Sequence, residues 1–182
     1  MARRRTPSTV THMVIAMAVV MLPIALISWF FTRLPEPVVN VVDPTPIVAQ
    51  ARTDATFPVL APTNLPEGWV PTRARWTPEG EPLLNREPAV ANTWQLGYLT
   101  PEQMYIGLDQ RDRLPDLFVG EVTRGGRPAG DASVAGATWQ RYTSADRRTN
   151  ALVQRADQVV TIVSGDLPFE ALEAFAGTLS AG

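Results

Sequence analysis

The sequence contains no cysteine and no lysine, and it has a single histidine, His12. Without cysteine, disulfides, thiolate metal sites and thiol nucleophiles are excluded. Without lysine, a Schiff-base lysine, a Ser–Lys pair and the lysine of a phosphate-binding loop are excluded as well. Because the lone histidine stands near the N-terminus, the rest of the chain cannot build a Ser-His-Asp triad or a histidine metal site. We therefore expect no catalytic residue, no metal and no cofactor.

Carboxylates are the remaining acid–base groups, and they are densest in Asp109–Asp116. The charges in this run alternate in sign, which is typical of a solvated loop or a helix start rather than a glycosidase pair. As a calcium-binding loop, the run would place Arg111 and Arg113 at ligand positions, so that site is excluded. The glycine-rich stretch Gly125–Gly130 is predicted to be a mobile loop, because no strand-to-helix context marks it as an anion cradle.

A long apolar run, Met13–Phe31, comprises nineteen residues without a charge. As a helix it would span ~28 Å, close to the hydrocarbon thickness of a bilayer. The run is longer than the core of a signal peptide, and no A-x-A cleavage site follows it, which favours an uncleaved anchor. Arg3, Arg4 and Arg5 precede the run and only Arg33 follows closely, so the positive-inside rule predicts a cytoplasmic N-terminus.

Composition divides the chain into four predicted parts. These are a basic cytoplasmic tail at 1–12, a transmembrane helix at 13–31, a proline-rich extracytoplasmic linker at 32–56 and an extracytoplasmic domain at 57–182. Within the linker, Thr45 and Pro46 mark the start of a short helix. The predicted location is the cell membrane, with a single pass and the domain outside. From Phe57 onward fifteen acidic residues face eleven arginines, which argues against nucleic acid as a partner.

The outer domain shows the alternation of apolar and polar residues that half-buried strands require. Strands are predicted at 69–76, 93–99, 104–109, 137–143, 151–155 and 159–164. Helices are predicted at 112–123, with Leu114, Leu117, Phe118 and Val122 on the buried face, and at 166–179. The predicted fold class is α+β, an antiparallel sheet of about five or six strands with one or two helices packed on one face, preceded by one transmembrane helix.

Four tryptophans of the outer domain, Trp69, Trp76, Trp94 and Trp139, are expected mostly in the core, because each buries a large area. Tryptophan is seldom fully buried, however, so one or two are expected to line a groove. The candidates for such a groove or interaction surface are Trp69, Trp94 and Trp139.

Several short runs resemble the actinobacterial family called domain of unknown function 4245. They are Leu65–Trp69, Trp94–Tyr98, Val134–Tyr142 and Val163–Gly165 followed by a short helix. The resemblance covers nearly the whole chain, including the N-terminal anchor. The resemblance implies a membrane protein that faces the cell envelope. The residues that carry it are typical of a shared fold rather than of a catalytic site.

Three hypotheses about function follow from these observations. The leading one is a non-catalytic interaction module that docks onto another envelope protein. The alternative is a lipid or small-molecule binding domain with a cleft between sheet and helix. A carboxylate-based hydrolase is third, and it would require two carboxylates closer than ~10 Å across a cleft.

Overall fold

The computed structural model describes residues 8–31, 40–83, 86–156 and 159–181. The chain forms two compact units, residues 1–39 and 40–182. In the first unit, helix α1 spans Ser8–Phe31, and its segment His12–Phe30 is long and apolar enough to cross a membrane. This helix is consistent with a membrane anchor or a signal sequence. The predicted tail and the first part of the predicted linker lie largely outside the described residues.

The described residues of the second unit form three helices and nine strands. The helices are α2 (Thr45–Asp54), α3 (Pro115–Val122) and α4 (Phe169–Ala176). The strands are β1 (Ala61–Pro62), β2 (Val70–Thr77), β3 (Thr93–Leu99), β4 (Tyr105–Arg111), β5 (Arg127–Val134), β6 (Ala137–Thr143), β7 (Asn150–Ala156), β8 (Val159–Gly165) and β9 (Leu179–Ser180). Seven of the strands form one antiparallel sheet in the order β2-β3-β4-β8-β7-β6-β5, while β1 and β9 pair separately.

The α+β class is confirmed, and the sheet has one strand more than predicted. The additional strand is β5, which includes most of the stretch that was predicted to be a mobile loop. That prediction was wrong because Pro128, Gly130 and Asp131 are typical of loops. They are accommodated here because β5 lies at the edge of the sheet and is almost entirely exposed.

Helices cover both faces of the sheet rather than one. Helices α2 and α4 bury Ala51, Leu172 and Phe175 against the face that carries Leu96 and Leu108. Helix α3 lies on the opposite face, where Phe118 and Val119 pack against alternate residues of β6, β7 and β8. A strand that is buried on one face alternates apolar and polar residues, whereas a strand buried on both faces is apolar throughout. Because helices cover both faces here, the central strands contain more consecutive apolar residues than simple alternation would give.

The short helix predicted at Thr45 is confirmed as α2, although its N-cap differs. Thr45, the predicted N-cap, is the first helical residue; Pro44 occupies the N-cap position, and the side chain of Asp43 accepts the backbone N–H of Thr45 at 3.0 Å. This hydrogen bond lowers the pKa of the Asp43 carboxyl. Ala51 of α2 is completely buried, so the helix contributes to the core of the second unit.

The buried face predicted for the helix at 112–123 is partly wrong. Leu114 has a left-handed backbone with φ of 52°, and the helix begins after it, at Pro115. Phe118 and Val119 are buried, whereas Leu114 and Leu117 are 47% and 56% exposed. The helix therefore packs on the sheet through Phe118, Val119 and Val122, while the two leucines remain exposed.

Both edges of the large sheet are irregular. In β2 the register shifts between Pro71 and Arg73, and in β5 it shifts between Pro128 and Asp131. The outer side of β2 also receives one backbone hydrogen bond, from the N–H of Val42 to the carbonyl of Pro71 at 3.0 Å. Proline and bulges both interrupt the row of free backbone groups at a sheet edge.

Candidate binding cleft

An open cleft of about 820 Å³ lies at one end of the sheet, on the face that also carries α2 and α4. We call it the binding cleft. It is lined by Thr56, Phe57, Pro58, Leu60, Glu79, Asn92, Gln110, Asp112, Arg113, Gln154, Ala156, Val159 and Thr161. The sheet forms its floor, and the segment that follows α2 forms one wall.

Three polar side chains form a row across the floor. Gln110 of β4 is directly opposite Thr161 of β8, and Thr161 is directly opposite Gln154 of β7. Directly opposed residues of antiparallel strands point to the same face, so the three side chains lie beside one another. Gln110 donates a hydrogen bond to the hydroxyl oxygen of Thr161 at 3.1 Å.

Gln110 fastens the wall of the cleft to its floor. Its side-chain carbonyl accepts the backbone N–H of Leu60 at 2.8 Å, and its amide donates to the carbonyl of Pro58 at 3.2 Å. The indole N–H of Trp94 donates to the carbonyl of Leu60 at 2.9 Å. Only 1% of Gln110 is exposed, so these bonds satisfy an amide that would otherwise be costly to bury.

Gln154 occupies the corresponding position two strands further along the same row. It is half-buried, and within the described residues its side-chain amide has no hydrogen-bond partner. A glutamine amide offers two donors and one acceptor oxygen. The floor of the cleft therefore presents a free hydrogen-bonding group to an incoming ligand.

The rim of the cleft is charged. The carboxylate of Glu79 pairs with the guanidinium of Arg113 at 2.7 Å, and both side chains are largely exposed. Asp112 accepts two hydrogen bonds from Asn92, from its backbone N–H at 3.0 Å and from its side-chain amide at 2.6 Å. Two carboxylates and one guanidinium give the rim a net negative charge.

The tryptophans proposed as groove residues lie outside the cleft lining. Trp94 is completely buried and Trp139 is 3% exposed, so both contribute packing to the core. Trp69 is half-buried and stacks on Phe175 with ring centroids 5.6 Å apart. The aromatic residue in the lining is instead Phe57, whose ring meets Trp76 edge-to-face at 6.0 Å.

The carboxylate-rich run Asp109–Asp116 is not a single solvated cluster. Asp109 and Gln110 belong to β4 and are buried, and they point to opposite faces of the sheet. Asp109 accepts a hydrogen bond from Gln95 at 2.8 Å on the face away from the cleft. Burial raises the pKa of the Asp109 carboxyl, while the bond from Gln95 and the charges of Arg73 and Arg111 act in the opposite direction.

Asp109→Asn is expected to stabilise the protein at neutral pH, on the order of 1 kcal/mol, because it removes a buried charge and keeps an acceptor for Gln95. The pKa of Asp109 is higher in the folded protein than the value of about 4 for an exposed aspartate. The free energy of unfolding of the wild-type protein therefore falls as pH rises from about 4 through the folded-state pKa. The advantage of the variant should therefore vanish below about pH 4. Urea unfolding of the full-length protein in detergent, at several pH values, measures this difference. If Asp109→Asn instead lowered the free energy of unfolding equally at every pH, the buried charge of Asp109 would not be what destabilises the folded protein.

Sequence reasoning did not identify the residues that form the cleft. Phe57, Glu79, Gln110 and Gln154 are far apart in the chain and belong to no motif. One signal was available: Gln154 lies in the predicted strand 151–155 and Gln110 directly follows the predicted strand 104–109, and each is polar where an apolar residue would continue the alternation. Only the strand order places them in one row.

Among solved structures, the chain resembles one in the MucA/MucB complex of Pseudomonas aeruginosa and one in the crystal structure of MucB in complex with MucA(peri). In both cases the identity is 18% and the TM-score is 0.36, over 69% of this chain and 35% and 37% of the others. The chain thus spans about a third of the length of those two chains. No curated protein matches the sequence. The model of one family, described as "Protein of unknown function (DUF4245)", matches residues 5–179, and the chain belongs to that family.

Proposed function

We propose that the protein is a non-catalytic interaction module of an actinobacterial cell envelope, anchored in the membrane by α1, whose second unit docks onto another envelope protein. The binding cleft is the observation that supports this proposal. It combines a free amide on the floor, an apolar wall and a charged rim. Recognition sites commonly pair an apolar interior with a few positioned polar groups and a polar rim.

The orientation follows from the charges that flank α1. Arg3, Arg4 and Arg5 precede the helix, and Arg33 alone follows it within a few residues. This asymmetry keeps the N-terminus in the cytoplasm and sends the second unit to the other side. The partner is therefore sought among proteins of the envelope rather than of the cytoplasm.

Two carboxylates, Glu79 and Asp112, line the cleft, so hydrolysis must be weighed against binding. A hydrolytic general acid has to stay protonated at neutral pH, which requires an apolar surrounding. Glu79 instead pairs with the Arg113 guanidinium, and Asp112 accepts two hydrogen bonds from Asn92. Both carboxylates are thus held by polar groups of the protein itself rather than by an apolar surrounding, which supports a non-catalytic module.

Chemical cross-linking of the full-length protein in its native cells tests the docking function. We expect a defined envelope protein to be captured by the full-length chain and not by a form that lacks residues 57–182. Neighbours are identified by mass spectrometry after purification under denaturing conditions. Identical sets of neighbours for the two forms would contradict the proposal, because the outer residues would then contribute nothing to capture.

A small-molecule ligand is the second candidate, since the volume of the cleft is within the range of such sites. The polar floor and charged rim suit a hydrogen-bonding ligand better than the acyl chain of a lipid. Native mass spectrometry of the purified full-length protein would support this candidate if it retained a bound molecule. A clean mass of the protein alone would count against it.

A further inference from the structure

Building on the proposed docking function, we infer that the binding cleft receives an extended polypeptide segment of the partner, whose backbone is held by the side-chain amide of Gln154. The occupant is thus assigned to a chemical class, a polypeptide backbone, and to a position on the floor of the cleft. The reasons come from the way the protein holds its own chain on the same sheet face.

Gln110 already performs this role for the segment after α2. Its amide binds the carbonyl of Pro58 and the N–H of Leu60, two backbone groups that flank a single residue, Val59. Val59 is 2% exposed, so the segment lies flat on the sheet with one side chain directed into the core. A glutamine on this face can therefore hold a stretch of backbone by a donor and an acceptor together.

Gln154 is also a glutamine, and its side chain points to the same face of the sheet as that of Gln110. Within the described residues, however, no segment of the chain is bound to its amide. The register places Gln110, Thr161 and Gln154 on adjacent strands, so two strand spacings, about 10 Å, separate the two glutamines. Neighbouring extended segments need only about 5 Å between their backbones, so this lateral separation leaves room for a second segment beside residues 58–60 without displacing it. Within the described residues the Gln154 amide has no partner, so it is available to bind such a segment.

The lining also indicates which segment is suited to the cleft. Phe57 and Leu60 on the wall and Val159 on the floor offer an apolar surface against which a partner side chain can be buried. Among the lining residues that the structure describes, the rim carries the carboxylates of Glu79 and Asp112 and one guanidinium, that of Arg113. The net negative charge disfavours an acidic segment, so the partner segment is neutral or basic.

Site-specific photo-cross-linking in native cells tests this assignment directly. Thr56 is exposed and lines the cleft, so p-benzoylphenylalanine is placed there in the full-length chain. The matched control places the same probe at Gln50, which is exposed on α2 outside the cleft. We expect the probe at Thr56, and not at Gln50, to attach to one contiguous segment of one protein, mapped by peptide sequencing.

A second variant links the capture to the glutamine. Gln154→Ala removes the amide, and we expect the cross-linking yield from Thr56 to fall by roughly three- to tenfold, the effect of losing one or two hydrogen bonds. Gln50→Ala is the control and should leave the yield unchanged. Circular dichroism of both purified variants checks that a lower yield does not reflect unfolding.

Three outcomes would overturn the inference: a glycan or lipid adduct at Thr56, a yield no higher than at Gln50, or a yield that Gln154→Ala does not change. None of them alone removes the proposed function. If cross-linking still captures a partner that requires residues 57–182, the docking function stands and uses another surface. If that capture also fails, the proposed function fails with it.

Discussion

Trp94→Ala is expected to lower the free energy of unfolding by about 4 kcal/mol, which is a large share of the 5–15 kcal/mol of a typical domain. Trp94 is completely buried between the sheet and the segment after α2. Truncation to alanine leaves a cavity and also removes the hydrogen bond to the carbonyl of Leu60. Because Leu60 belongs to the wall of the binding cleft, the same change should loosen that wall. Urea unfolding of the full-length protein in detergent measures the loss.

Trp94→Phe separates the two contributions. Phenylalanine retains most of the buried ring but has no N–H, so the carbonyl of Leu60 loses its partner at a cost of about 1–2 kcal/mol. An alanine variant no less stable than the phenylalanine variant would show that packing at this position contributes little. That result would contradict the assignment of Trp94 to the core.

Gly165→Ala is expected to be the second most damaging of these changes, at about 3 kcal/mol. A Cβ atom at this position would lie 2.6 Å from the backbone carbonyl oxygen of Tyr105. Gly165 ends β8, where it pairs with Ile106 of β4 on one side and Asn150 of β7 on the other. Since the obstacle is backbone inside the sheet, no side-chain rotation can relieve the clash. The melting temperature of the full-length protein, followed by circular dichroism, reports the effect.

Gly120→Ala is the matched control for that experiment. Gly120 lies within α3, and a Cβ atom there would meet nothing within 4 Å. Alanine is the better helix former, so this variant should gain up to about 1 kcal/mol. If the two substitutions changed stability equally, the close approach of β4 and β8 at Gly165 would not be the cause.

The strands were predictable where alternation and turn chemistry agree. Strand β3 has the predicted bounds, and the turn before β4, where Pro101 has the second position typical of a β-turn, contains a backbone hydrogen bond from the N–H of Gln103 to the carbonyl of Thr100 at 2.9 Å. Pro71 has no N–H to donate and is therefore typical of an edge strand, and β2 is at the edge of the sheet. Each of these signals is local, and the partner strand is close in the sequence.

The errors occurred where tertiary contacts outweigh local preference. The helix predicted at 166–179 does not include Asp166, whose carboxylate instead accepts a hydrogen bond from the hydroxyl of Thr149 at 2.6 Å. Helix α4 begins later, at Phe169. The binding cleft could not be predicted either. Gln110 and Gln154 come into one row, on either side of Thr161, only because β8 pairs with both β4 and β7. Periodicity identifies a strand but not its place in the sheet.

The irregular edges of the sheet affect whether copies of the protein associate edge to edge at high concentration. Copies of a protein that are confined to a membrane surface meet far more often than copies in dilute solution. A regular, unpaired edge strand could then pair with the edge strand of the next copy, and repeated pairing would form filaments. The proline and the register shift in both β2 and β5 interrupt such growth at each end of the sheet. Under the proposed anchorage in a membrane, crowding should therefore leave the sheets separate, with their faces rather than their edges available to other molecules.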